Sequence, residues 1–357
     1  MNYIILNGIN STTIKGLLIQ TLPPITKPLM RTQTDTVDGR DGDIVTPLGF
    51  SAYDRSFSIG LYGNYDVNRV IEFFTSEGVA IFSNEPDKVY QYAIYAQIDF
   101  EKLLRFKTAT VKMHVQPFKY SAAENTVLHD NNRIVYMDTV RSQNGVTAAI
   151  TDGKLTVFGT ASSSATLYVP IPTISASPGE YVLRSYAHGT NVDHMELALV
   201  TESPYTPFAS DTIEVAADAV QMLEGTVSSN TAYKFLRINV AAGTIDAELN
   251  VQFCGADDDG FFISNNGNYL SKPQLTVYGA GTVQIYVNGT QIFTVELGND
   301  GYITLDAGSS DAYRGAVLKN RSVKGNYDKF VLKPGRNTIT YGGMVTGLEI
   351  SRYSRWI

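Results

Sequence analysis

The sequence predicts a mainly β protein: an N-terminal β domain with one α-helix, followed by two β-sandwich or jelly-roll domains. Three observations support this. Short apolar runs alternate with turn residues, and the composition (22 Tyr, 16 Phe, 30 Gly) favours strands and turns. One segment stands out for its helical periodicity. The 357 residues are enough for two or three domains.

The first domain is predicted at residues 1–122. Asp66 suits a helix N-cap, and apolar residues follow at helical spacing from Val67 to about Glu77, before Gly78. We expect this helix to pack on its own sheet rather than on a partner. The strands expected around it are Tyr3–Leu6, Gly16–Gln20, Ser56–Leu61, Val79–Phe82, Tyr90–Phe100 and Thr108–Pro117.

A weakly apolar stretch, roughly Arg31 to Ile44, separates two of these strands. Its centre is Asp38, Gly39, Arg40, Asp41 and Gly42. Glycine permits positive φ and aspartate supports tight turns. Because an ordinary hairpin turn needs only about two to five residues, this longer stretch predicts a polar hairpin tip that projects from its domain. A plain solvated loop is the alternative.

The second domain is predicted at residues 123–255, where formal charge is concentrated: residues 121–255 sum to about −8, and both flanking segments are close to neutral. Short strands separated by turns predict a jelly-roll module. These strands are Lys154–Gly159, Ala165–Val169, Tyr181–Ala187, Met195–Val200, Thr212–Val215, Lys234–Val240 and Glu248–Phe253.

The third domain is predicted at residues 256–357 as a second sandwich. Asn288-Gly289 indicates a type I′ hairpin, and an aromatic, basic segment follows the last strand. The expected strands are Gln274–Tyr278, Val283–Val287, Gln291–Leu297, Tyr302–Asp306, Asn337–Tyr341 and Gly347–Arg352.

Composition limits the classes of function. The net charge of −7 argues against a nucleic-acid partner, since phosphate binding requires a basic face. Cys254, the single cysteine, excludes an intrachain disulfide framework. No segment reaches the ~18 apolar residues of a membrane span, and the N-terminal sequence lacks signal-peptide features. We expect synthesis in a cytoplasm, and no membrane partner.

No enzyme motif is found, so we predict no catalytic residues, no cofactor and no metal. The spacing of His188 and His194 around Asp193 matches no standard zinc pattern. Asp257–Asp259 is better explained as a solvated charge run than as a calcium loop. A glycosidase carboxylate pair stays open as the least expected alternative, since its spacing depends on the fold.

One segment of the middle domain combines the residue types of a sugar site, with an aromatic ring near groups that bond hydroxyls. A polar sandwich loop is the competing interpretation. The candidate glycan-binding residues are Arg184, Tyr186, His188, Asn191, Asp193 and His194.

Motifs near both ends of the chain occur in an order that resembles the distal tail proteins (Dit) of long-tailed siphophages infecting Gram-positive bacteria. They include the polar hairpin and the single helix. The remaining motifs are Val115–Tyr120, Asn268–Pro273, Leu275–Gly279, Ile285–Gly289, Lys333–Asn337 and Arg355-Trp356. The middle segment more weakly resembles the carbohydrate-binding modules inserted in extended members.

This resemblance implies a virion protein made in the host bacterial cytoplasm. It would form a homohexameric ring at the tail tip, with the hairpin acting as a belt against the next subunit and a galectin-like sandwich projecting outward. The implied partners are the major tail tube protein, the tail-associated spike protein, receptor-binding proteins and host cell-wall polysaccharide. An adhesin-like polysaccharide-binding protein that forms no ring is the alternative.

Overall fold

The computed structural model describes residues 2–102, 107–122, 126–130, 134, 139–151, 154–256, 260–298 and 301–357. The chain is mainly β, as predicted, and the strands of these residues pair antiparallel in five sheets. The described residues include one α-helix and four short 3₁₀ turns, Ser11–Thr13, Val192–His194, Asn320–Ser322 and Tyr327–Lys329. Buried apolar residues form three main clusters, which lie within 4–115, 134–253 and 263–350.

The first region contains one large sheet with strand order β2-β1-β7-β8-β10-β6-β3 and a helix on it. Its elements are β1 (Ile4–Leu6), β2 (Ile9–Asn10), β3 (Leu17–Ile19), β4 (Met30–Thr36), β5 (Asp43–Phe50), β6 (Tyr53–Leu61), α1 (Val67–Phe74), β7 (Glu77–Phe82), β8 (Glu85–Ala93), β9 (Glu101–Lys102) and β10 (Lys107–Ser121).

Helix α1 begins where the sequence predicts. The Asp66 carboxylate accepts hydrogen bonds from the N–H groups of Asn68 and Arg69, and the apolar face packs inward through Phe73 and Phe74. The expected end near Glu77 is wrong. The helix stops at Phe74 because Glu77 already pairs with Ala93 in the sheet.

One strand also differs from its prediction: the run expected over Tyr90–Phe100 begins at Glu85 and ends at Ala93. Ala93 pairs with both Glu77 and His114. Ile94, Ile98 and Phe100, beyond Ala93, still pack against the core, without strand pairing. The predicted strand was therefore too long, because the prediction followed apolar composition and could not show where strand pairing ends.

The middle region is a sandwich of a six-stranded sheet, β12-β13-β14-β21-β16-β19, and a four-stranded sheet, β15-β20-β17-β18. The largest buried cluster lies between them. The strands of this part of the chain are β11 (Val127–Asp130), β12 (Val140–Gln143), β13 (Val146–Thr151), β14 (Lys154–Ala161), β15 (Ala165–Ala176), β16 (Gly179–Thr190), β17 (Met195–Thr201), β18 (Ile213–Glu214), β19 (Val220–Val227), β20 (Thr231–Val240) and β21 (Gly243–Gly255).

Strand β11 does not belong to this sandwich. It pairs with residues Gly347–Ile350 of a later strand, in the sheet of the last region. Residues 127–130, which lie inside the predicted second domain, therefore belong to the sheet of the last region. Such a long-range pairing leaves no local signal in the sequence.

The last region folds around its own buried cluster. Its strands are β22 (Gly260–Asn265), β23 (Gln274–Val287), β24 (Thr290–Gly298), β25 (Tyr302–Asp306), β26 (Asp311–Arg314), β27 (Val317–Leu318), β28 (Val323–Gly325), β29 (Gly335–Ser351) and β30 (Arg355–Trp356).

Two pairs of strands predicted separately in this region are single long strands. β23 covers both runs expected in 274–287, and β29 covers both runs expected in 337–352 except Arg352. The register between them shifts near Gly279 and again after Ala280. Turn-forming glycines here mark bulges within paired strands, where the sequence suggested loops.

Candidate assembly arm and other candidate sites

Strands β4 and β5 form a two-stranded ribbon that pairs with no other described strand. Thr36 pairs with Asp43 near the tip and Met30 pairs with Phe50 at the base, with Leu48 as the extra residue of a bulge. All of β4, and β5 from Asp43 to Leu48, is exposed. At about 3.4 Å per residue, the ribbon is roughly 20–25 Å long. We call residues 30–50 the arm.

The two faces of the arm differ in chemistry, because residues directly opposite in an antiparallel pair share a face. One face carries Thr32 with Pro47 and Thr34 with Val45. This face is uncharged over those two pairs, and the Val45 side chain is 57% exposed. The opposite face is more polar and includes Gln33, whose amide bonds the Asp35 carboxylate.

Other large apolar side chains of the arm and its approach are also exposed. They are Leu29, Met30, Val37, Ile44 and Leu48. An isolated two-stranded hairpin is marginally stable in water, and clustered exposed apolar side chains mark interaction surfaces. The arm therefore has the properties of an element completed by another surface.

The predicted tip residues Asp38, Gly39, Arg40, Asp41 and Gly42 form the turn between the two strands. All five are exposed, and the Arg40 N–H donates to the Val37 carbonyl at 3.2 Å. Gly39 and Gly42 have φ values of +80° and +78°, as turn glycines require. Arg40 makes no ion pair with any described residue, so its guanidinium is available to a partner.

The base of the arm is fixed by aromatic packing between the first and last regions. The Phe50 ring lies 5.9 Å from Phe118 and 5.5 Å from Tyr269, centroid to centroid. The Arg355 guanidinium lies 4.4 Å above the Phe118 ring and donates to the Leu270 carbonyl. The arm thus projects from a packed junction.

A buried arginine holds the segment that leads into the arm. Arg55, 3% exposed, donates to the carbonyls of Pro23 and Pro24 at 3.3 and 2.9 Å. Its guanidinium lies 4.6 Å from the Phe82 ring centroid and 4.4 Å from that of Tyr90. Sequence reasoning missed Arg55, because a single arginine in an alternating strand is usually a solvent-facing residue.

The candidate glycan residues separate into two groups. Arg184, Tyr186 and His188 lie on one face of β16, at the junction with the last region. Tyr186 is 3% exposed, packs against Ala280 and Met344, and donates to the Asp218 carboxylate at 3.1 Å. Its ring therefore cannot stack on a sugar.

Hydrogen bonds also occupy the other two members of this group. Arg184 donates to the Cys254 sulfur at 3.1 Å, and the His188 Nδ1 atom lies 2.6 Å from the Asp218 carboxylate. The His188 imidazole, and to a lesser degree Tyr186, lowers the pKa of Asp218 below its usual value.

The other three candidates lie at one end of the sandwich. Asn191 has a left-handed backbone and donates to the Thr244 carbonyl at 2.8 Å. Asp193 and His194 follow in a 3₁₀ turn and line an open groove with residues of the four-stranded sheet. The structure does not bring all six candidates to one surface.

Among the described residues, no group of three or more His, Cys, Asp or Glu side chains could hold a metal ion. Asp257–Asp259 lie outside the described residues. Within the part of the chain that the structure describes, no helix is long and apolar enough to span a membrane.

No family model and no curated protein matches the chain. Among solved structures, the chain is similar to the Dit protein of phage SPP1, a hub of the adsorption apparatus in phages infecting Gram-positive bacteria. The identity is 11% over 71% of this chain and 99% of that chain, and the TM-score is 0.31. The chain is also similar to a structure of the phage p2 baseplate in its activated conformation, with 9% identity over 72% of this chain and 98% of that chain and a TM-score of 0.24.

An isomalto-dextranase of Arthrobacter globiformis T6, complexed with panose, is similar at 13% identity over 55% of this chain and 34% of that chain, with a TM-score of 0.21. Identities and scores this low do not assign a function.

Proposed function

We propose that this chain is a structural component of a bacteriophage tail tip. In this proposal, six copies form a ring that joins the tail tube to the spike and receptor-binding proteins. The observation that carries it is the arm: an exposed ribbon, uncharged over the pairs Thr32–Pro47 and Thr34–Val45, fixed at its base and paired with no other described strand.

The binding partner that best fits the arm is a neighbouring copy of the chain. The order of sequence motifs near both ends of the chain, resembling distal tail proteins, supports this choice and supplies the expected sixfold symmetry. In such a ring each arm contacts the next subunit, so every copy gives one arm and receives one. The last region would project outward toward receptor-binding proteins.

The test is the mass and shape of the purified full chain. Light scattering on a size-exclusion column should give six times the 39.1 kDa chain mass, or twice that for a double ring. Negative-stain images should show rings with sixfold symmetry. A stable monomer at all concentrations would contradict the proposal and favour a free-standing polysaccharide-binding protein.

A further inference from the structure

Three charged side chains lie together in the first region, against the segment that leads into the arm. Arg55 and Lys119 are buried, and only 11% of the Glu85 side chain is exposed. The Glu85 carboxylate accepts from the Lys119 ammonium at 2.7 Å and lies 3.9 Å from the Arg55 guanidinium. One carboxylate therefore balances two buried cations. We call these three residues the charged cluster.

The segment that leads into the arm, residues 22–28, offers few groups that could fix its direction. It belongs to no strand, and it contains three prolines, which have no backbone N–H. Within the described chain, its hydrogen bonds to other elements all go to the carbonyls of Pro23 and Pro24. Arg55 Nη2 donates to both carbonyls, and the Asn84 amide donates to that of Pro23 at 3.1 Å. The hydrogen bonds that orient this segment thus come from Arg55 and Asn84.

The stability of the sheet does not explain why Arg55 is buried here. Its Nε and Nη1 atoms are buried without a hydrogen-bond acceptor, and an unpaired buried donor is destabilising. The guanidinium lies instead against the rings of Phe82 and Tyr90. The two hydrogen bonds of its Nη2 atom both go to the segment that enters the arm. The contact that this arginine makes well is therefore the contact with that segment.

Glu85 keeps Arg55 in this position. A buried cation is unfavourable unless an anion lies nearby, and the carboxylate that lies within 4 Å of Arg55 is that of Glu85. The Tyr90 hydroxyl donates to this carboxylate and helps to fix it. Because Lys119 shares the carboxylate, removal of either cation leaves a balanced pair, whereas removal of the Glu85 charge leaves two buried cations.

We propose that Arg55 and Glu85 are positioning residues for the arm. Glu85 fixes the Arg55 guanidinium, which fixes the strand that enters the arm, while Phe50 packing fixes the strand that leaves it. With both ends held, the arm leaves the first region in one direction. The role in assembly rests on the proposed ring, in which an arm that is already ordered loses less entropy when it meets a neighbour.

The test measures the spread of arm directions in the full chain by pulsed electron paramagnetic resonance. Spin labels at Asp41→Cys, in the tip, and at Thr110→Cys, exposed in β10, report the distance between arm and sheet. Every sample also carries Val45→Asp with Leu48→Asp, so that the chain stays monomeric, which light scattering verifies. Cys254 is buried, and treating the wild-type chain with the label checks that this thiol stays unmodified.

The variants separate the two cations. Arg55→Met releases the segment but leaves Glu85 paired with Lys119, so we expect a distance distribution at least twice as wide with little change in melting temperature. Lys119→Met leaves Arg55 paired with Glu85 and should keep the original width. Glu85→Gln leaves two unpaired cations and should both widen the distribution and lower the melting temperature. Asn84→Ala, at an exposed turn, removes the other donor to Pro23 and should widen the distribution less.

Matched controls lie in the middle sandwich. Arg237→Met replaces another arginine whose Nε is buried without an acceptor, and Glu248→Gln removes a carboxylate that pairs with Lys154 at 2.7 Å. Both should keep the original width. An unchanged width in Arg55→Met, or equal widening in Lys119→Met or in a control, would overturn the proposal.

Circular dichroism of each variant detects loss of fold. If Arg55→Met does not fold, Asn84→Ala decides in its place, and an unchanged width in that variant would count against the proposal. Ring association is measured on unlabelled chains without the arm substitutions, where Arg55→Met should weaken it at least tenfold. A wild-type chain that forms no ring would contradict the proposed function and leave the width result standing. A ring that is equally strong in Arg55→Met would overturn the role of this residue in assembly.

Discussion

The arm and the junction around Tyr186 are both places where side chains extend beyond the core of their own region. At the junction, Tyr186 packs against Met344, and the Gln252 amide donates to the Val345 carbonyl at 2.5 Å. The arm shows the opposite condition, with Val45 and Leu48 more than half exposed. One contact is completed within the chain, and the other is left open.

This difference separates two roles that sequence patterns do not distinguish. A contact completed within the chain fixes how two regions sit together and contributes to the free energy of unfolding. An open contact contributes nothing to the stability of the isolated chain, and in the proposed ring it would act only when copies associate. Variants at the two places should therefore change different measurements.

The largest expected effect comes from charging the arm. The double variant Val45→Asp, Leu48→Asp places carboxylates where burial of each apolar side chain would contribute about 1.5–3 kcal/mol. We expect the ring to be lost, because six contacts weaken together, while the melting temperature of the monomer stays unchanged. Light scattering measures the first and calorimetry the second.

Val140→Asp, at another exposed strand position, is the control for this variant and should leave the ring intact. If the double arm variant still forms a hexamer, the arm is an ordinary surface hairpin with no role in assembly.

The next effect concerns the junction. Gly281 has a φ of +68°, and a Cβ added there would lie 3.0 Å from Val220 and 3.1 Å from the Tyr186 ring. Gly289 has a similar φ of +78°, with nothing within 4 Å. Both alanine variants incur backbone strain, but Gly281→Ala adds overpacking of about 1–3 kcal/mol. Guanidinium unfolding should show this difference, and equal losses would argue against a tight junction.

Removing the charges at the arm tip should have a smaller effect. Arg40→Ala with Asp41→Ala should weaken ring association several-fold and reduce its salt dependence, because exposed ion pairs contribute about 0.2–1 kcal/mol each. The monomer should remain folded. Arg69→Ala with Glu72→Ala removes an exposed pair from α1 and serves as the control. An unaltered hexamer would leave the tip without a role.

The smallest effect is a pH dependence at the junction. Burial, aided by the Asp218 carboxylate, raises the pKa of Tyr186 from 10 to about 12. The folded state holds this proton more tightly than the unfolded state, so the contribution is complete below pH 10 and is lost as pH rises through about 12. Tyr186→Phe should reduce the decline of melting temperature between pH 10 and 12. Tyr62→Phe, at an exposed tyrosine, should leave that decline unchanged.

Local patterns predicted local structure well. The Asp66 cap located the start of α1, and the polar composition of residues 38–42 located the tip of the arm. What the sequence could not show depends on residues brought together from distant positions. The burial of Tyr186 and the pairing of β11 with β29 both depend on sheet register. Residue types alone grouped Tyr186 with His194, because both lie in one polar segment.

Strand β30 has a consequence for biosynthesis. Arg355 and Trp356 pair with Tyr120 and Lys119 of β10, and the Lys88 ammonium lies 3.7 Å from the centre of the Trp356 ring. A ribosome exposes β10 long before it releases these two residues. Until β30 emerges, the surface beside the base of the arm therefore stays incomplete. If copies associate as proposed, a nascent chain presents its finished arm base to a neighbour only after both regions have been synthesised.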